Sequence, residues 1–114
     1  MLAVVEELLF RSKLETVAGA VGSQLHVAAD EEQLRAALSS RAWDMVVVDL
    51  NLSYADPVVI ITTVRQTFPT TLIIGYCSHV ERGLMAHAAA AGCSQVLARS
   101  EMAQRLPALM RGTT

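Results

Sequence analysis

The sequence predicts an α/β domain, a doubly wound parallel sheet of five strands built as (βα)5. Three observations predict it. Short aliphatic runs alternate strictly with longer segments whose apolar residues recur at helical spacing. The chain is 53% hydrophobic but only 4% aromatic, so its core is made of Val, Leu, Ile, Ala and Met. Strands of that composition suit a parallel sheet, which is covered on both faces and therefore reads as unbroken aliphatic runs. Turn-forming residues separate the segments, and a strand–helix–strand alternation implies right-handed crossovers.

Along the chain, Leu2, Val5 and Leu9 fit a helix period, while Leu2-Ala3-Val4-Val5 also fits a buried strand. The alternation that follows favours strand over Met1–Val5 and helix over about Leu8–Val21. Gln24–Ala28 alternates as a short strand. Asp30-Glu31-Glu32-Gln33 reads as an N-cap with its capping-box partner, opening a helix that carries Leu34, Ala37 and Leu38 and ends near Ser39-Ser40. Asp44–Asp49 is a β-branched run bounded by acids, a buried strand followed by the loop Leu50-Asn51-Leu52-Ser53. Trp43 precedes it and is expected to plug the bottom of the sheet. Asp56-Pro57 starts the next helix, with Val58, Ile61, Val64 and Phe68 on one face and Pro69 closing it. Leu72–Tyr76 is a strand. Ser78 or His79 is the expected cap of a helix through Ala91 that Gly92 terminates. Gln95–Ala98 is the last strand, and Ser100 is the expected cap of a final helix bearing Leu106, Leu109 and Met110.

A chain of 114 residues fits one domain, 1–114. The net charge is -2 and the nine basic residues are scattered, which argues against binding nucleic acid by neutralising phosphates. No apolar stretch reaches membrane-spanning length, and Glu6 and Glu7 interrupt the apolar start where a signal peptide would need its core. Cys77 and Cys93 have no metal-ligand spacing and read as small buried residues of a reducing compartment. The expected location is the cytoplasm.

Open parallel sheets bind ligands beyond the carboxyl ends of their strands. The residues there are Glu6 and Glu7, Asp49, Cys77 and Ser78, and Arg99. Three carboxylates brought together repel unless a cation offsets them. Mg²⁺ would suit oxygen ligands of this kind, and Arg99 could pair with Asp49 or with a phosphate through its planar fork. Such an edge could support phosphoryl transfer onto a carboxylate. Plainer readings stand beside this one. Asp49 could end a strand and accept backbone N–H bonds, Glu6 and Glu7 could complement a helix dipole, and Arg99 could simply neutralise the edge. His79 fits a cap or solvent position, and His26 and His87 fit ordinary strand and helix positions.

The order of acidic pair, Val-Val-Val-Asp49-Leu-Asn-Leu, Ile-Ile-x-x-Cys77-Ser78-His79, Ala-Gly92 and Val-Leu-Ala-Arg99-Ser100 resembles the receiver domain of bacterial two-component response regulators. The resemblance spans nearly the whole chain and implies a CheY-like, flavodoxin-like sheet of strand order 2-1-3-4-5. It implies Asp49 as phosphoacceptor, a Mg²⁺ site from Glu6, Glu7, Asp49 and the backbone carbonyl of Asn51, and phosphate contacts from Cys77, Ser78 and Arg99. It also implies a non-enzymatic, stand-alone phosphorelay module whose partner is a sensor histidine kinase or another signalling protein. A homodimer through the helix 4–strand 5–helix 5 face, from Leu84 to Met110, would be in keeping with it.

Five departures from the family pattern stand out. The acidic pair is Glu-Glu where Asp-Asp is usual. The hydroxyl residue after strand four is Cys77, a weaker donor. The switch aromatic of strand five is Val96, the lysine and proline that follow are Arg99 and Ser100, and the loop glycine after the phosphoacceptor is Pro57. Together these describe an atypical or pseudo-receiver, whose alternative function is phosphorylation-independent protein interaction. A third class, a small enzyme or nucleotide-binding protein on the same sheet, is disfavoured. No glycine-rich loop follows the first strand, and Glu6-Glu7 would repel phosphate there.

Overall fold

A computed structural model of the chain describes residues 1–78 and 81–112. Strand β1 (Leu2–Val4) is wholly buried, as a run without polar side chains should be when both faces are covered. Helix α1 (Leu8–Val21) buries Phe10, Leu14 and Ala18, spaced four apart so that they share one stripe. Gly22 ends it with φ 70°, its N–H donating to the Ala18 carbonyl. Strand β2 (His26–Ala28) is shorter than Gln24–Ala28 because its pairing with β1 begins at Leu2↔His26.

Helix α2 (Glu31–Ser40) starts where the capping pattern puts it. Asp30 accepts the Gln33 N–H at 2.8 Å, and the Gln33 amide oxygen reaches back to the Ala29 N–H at 2.8 Å. Strand β3 (Met45–Asp49) is buried from end to end. Helix α3 (Pro57–Thr67) has Pro57 in its first turn and Asp56 accepting the Val58 N–H at 2.9 Å. Strand β4 (Leu72–Cys77) runs one residue beyond Tyr76, since Cys77 still pairs with Ala98.

Two expected caps are corrected. Helix α4 (Arg82–Ala91) has Glu81 at its N-cap, without a side-chain bond, so Ser78 does not cap it. His79 lies outside the described residues. Helix α5 (Arg99–Arg111) follows strand β5 (Gln95–Ala98) directly, with Ala98 at its N-cap. Ser100 is therefore inside the first turn rather than ahead of it. A serine hydroxyl can cap only from the non-helical residue that precedes a helix, and α5 begins too early for that.

The strands pair in parallel in the order β2-β1-β3-β4-β5. Alternate residues supply the two apolar layers. Leu2, Val4, Val46, Val48 and Ile73 face Leu34, Ile61, Val64 and Ala88 of α2, α3 and α4. Ala3, Val5, Val47, Ile74 and Tyr76 face Phe10 and Leu14 of α1 and Met102, Leu106 and Leu109 of α5. Trp43 is buried at the start of β3, its indole N–H donating to the Ala37 carbonyl at 3.0 Å.

One cation joins two connections on the amino-terminal side, the one before β4 and the one before β5. The Arg65 guanidinium donates to the carbonyls of Pro69 at 2.9 Å, Thr71 at 2.8 Å and Gly92 at 2.8 and 3.1 Å. Gly92 has φ 130°, and a Cβ there would stand 2.9 Å from Arg65 Cγ, so both conformation and space require glycine. Among the described residues, no helix is long and apolar enough to cross a membrane.

Candidate functional site

The carboxyl ends of β1, β3, β4 and β5 lie along one edge, and the sequence places its polar residues there. Asp49 is the last residue of β3 and is 5% exposed. One of its oxygens accepts the Asn51 N–H at 2.8 Å, an Asx turn that folds the chain over the strand end. Burial is the main cause raising its carboxyl above the ordinary 3.8; the Asn51 amide opposes, Glu6 and Glu7 add to the rise, and Arg99 offsets it.

Glu6 and Glu7 part company. Glu6 reaches across to the loop after β3, where the Ser53 N–H and hydroxyl donate to its two oxygens, the hydroxyl at 2.8 Å. Glu7 stands at the N-cap of α1 without capping it, and its carboxylate takes an ion pair from Arg99, the first residue of α5. The Arg99 guanidinium carbon lies 5.1 Å from the centre of the Phe10 ring, a cation–π contact on the same helix that Glu7 precedes. Among the described residues Arg99 makes an ion pair with Glu7 and none with Asp49.

Asn51 uses its side chain as well. Its amide oxygen accepts the Ser78 N–H at 2.8 Å, which ties the β3 loop to the end of β4. Cys77 is 1% exposed, and burial raises its thiol. Ser78 is exposed beside it. An open cleft of about 620 Å³ passes over Phe10, Lys13, Cys77, Ser78 and Arg99, between α1 and α5.

The structure thus brings the expected residues to one edge but gives each acid its own partner. Among the described residues, no three His, Cys, Asp or Glu side chains lie where they could hold a metal ion. Both oxygens of Glu6 are taken by Ser53, and Glu7 is held by a cation. This donor arrangement does not fit a hard divalent ion, which needs free carboxylate oxygens converging at about 2.0–2.1 Å for Mg²⁺.

Three participants escaped the sequence reading. Ser53 is separated from Glu6 by 47 positions, and nothing local marks it as a partner. Phe10 looks like any core residue of α1. Tyr76 pairs in register with Asp49, and its ring packs on Phe10 with centroids 4.6 Å apart. Its hydroxyl is buried without a hydrogen-bond partner among the described residues, and burial raises it strongly. An aromatic in an otherwise aliphatic strand, next to Cys77, was the available signal. Among the described residues, the large apolar side chains left exposed are Leu8, Leu9 and Val59, in the first turns of α1 and α3. The apolar residues Leu84, Met85, Val96, Ala103 and Met110 instead pack against the two core layers.

No protein-family model matches the sequence, and no curated protein matches it. Solved structures do. The signal receiver domain of an HD domain-containing protein from Pseudomonas fluorescens Pf-5 superposes with TM-score 0.85 at 24% identity, over 98% of this chain and 90% of that one. A response regulator from Thermotoga maritima gives 0.81 at 18% identity, over 98% and 93%. A response regulator from Burkholderia pseudomallei, solved with a phosphorylated aspartic acid, a calcium ion and citrate, gives 0.83 at 16% identity. It matches over 96% of this chain, which spans only 64% of that protein. All three identities are below 25%, and what they show is the fold: the chain has the architecture of CheY-like receiver domains.

Proposed function

We propose that the chain is a receiver-like signalling module that acts by protein contact, as a non-catalytic, cytoplasmic pseudo-receiver. The observation that supports this most is the pair of clasps across the edge, Glu7 with Arg99 and Glu6 with Ser53. They occupy the acids that the receiver resemblance would assign to a metal. The relay positions point the same way. Cys77 is buried with a raised thiol, and Val96 has no hydroxyl or ring with which to follow an event at Asp49. Its partner is a sensor kinase or another signalling protein, or a second copy meeting α4, β5 and α5.

A phosphoacceptor role for Asp49 is the second reading, favoured by its place at the end of β3 with Arg99 in electrostatic reach. Incubation with acetyl phosphate and Mg²⁺, followed by intact mass, separates the two. The contact reading expects no adduct on the wild type, and partner pull-down from the native host unchanged by Asp49→Ala and by Asp49→Glu. An adduct lost in Asp49→Asn would replace it with the phosphoacceptor reading.

A further inference from the structure

Receiver resemblance calls for a divalent cation at the acidic edge, and the side chains answer with a different arrangement. Glu6 has both oxygens satisfied by neutral donors, the Ser53 amide and hydroxyl. Asp49 shares one oxygen with the Asn51 amide. Glu7 is paired with a guanidinium that is itself positioned from two sides, by α5 through the backbone and by the Phe10 ring of α1. A fork held this way is pre-organised, so it loses little freedom on pairing. Glu7 and Arg99 keep 38% and 35% of their side-chain surface exposed. The pair is therefore reachable by ions, and geometry rather than exclusion decides what sits there.

We infer that Arg99 is the resident cation of this edge, standing in for a divalent ion, so that the folded protein has no Asp49-dependent metal site. A dication approaching the acids would meet the guanidinium charge already among them and would have to unseat Ser53 to gain Glu6. Arg99 also ties the first residue of α5 to the residue preceding α1, so the same contact that neutralises the edge holds the two helix starts together. The held fork is what matters: a lysine, the residue the receiver resemblance puts at this position, would keep the charge without that hold.

Mn²⁺ titration of the full chain, followed by electron paramagnetic resonance of the free ion, tests this. The wild type is expected to show no saturable binding that Asp49→Asn removes. Arg99→Gln, checked for folding by circular dichroism, is expected to gain Mn²⁺ affinity by at least about tenfold, since removing an adjacent like charge is worth 1.4 kcal/mol or more. Arg99→Lys, which keeps the charge without the fork, should gain less than Arg99→Gln. Saturable wild-type binding abolished by Asp49→Asn overturns the inference, as does equal gain in the Gln and Lys variants or no gain in a folded Arg99→Gln. If Arg99→Gln does not fold, the wild-type titration alone decides. The inference does not rest on the contact reading: an acetyl phosphate adduct that forms equally in EDTA would sink that reading and spare this one.

Discussion

At the scale of single residues, Asp49 carries an electrostatic cost that should be measurable. Its folded-state carboxyl is raised above 3.8, chiefly by burial. The folded protein therefore holds the Asp49 proton more tightly than the unfolded chain does. Stability is unaffected by this group below the unfolded value and declines as pH rises through the folded one. Asp49→Asn keeps an oxygen for the Asn51 N–H and removes the charge. It should stabilise the protein at pH 7, seen as a higher Tm. That advantage should shrink as pH falls toward 3.8. Thermal melts of both proteins across this range check it, and a variant less stable at pH 7 would show that the charge is compensated by contacts beyond those seen. Asp49 could be located from the sequence because a strand end is a local feature. Its chemical setting could not, because Ser53 and Arg99 reach the edge from 47 and 92 positions away from their acids.

Among the elements, what was legible follows the range of the interaction. Asp30 caps its helix as read, and Asp56, read only as part of the turn before Pro57, caps the next, because capping joins residues two or three apart. The aliphatic strands were legible for the same reason. The caps at Ser78 and Ser100 were misplaced because serine is common both before and within a first turn, and only the strand pairing fixes where β5 ends. Arg65 was invisible for the opposite reason: its acceptors Pro69, Thr71 and Gly92 converge only in the folded chain. Those carbonyls lose a charged donor in Arg65→Met, which should cost about 2–3 kcal/mol. Urea unfolding should show a lower midpoint with an unchanged slope. A loss below about 0.5 kcal/mol would mean that water replaces the guanidinium without penalty.

For the whole molecule, the sheet order and both core layers match what the alternation of segments and the receiver resemblance implied. A doubly wound sheet sends the polar residues after each strand to one edge whatever their later chemistry, so the fold was readable while the wiring of the edge was not. That wiring, two clasps that leave the acids no shared ligand, is the central claim. The most direct measurement is the amide spectrum of ¹⁵N-labelled protein with and without Mg²⁺ and beryllium fluoride, a phosphoryl mimic. The locked edge predicts that the amides of Glu7, Asn51, Ser53, Ser78 and Arg99 stay where they are. Saturable shifts at those five, absent in Asp49→Asn, would contradict it.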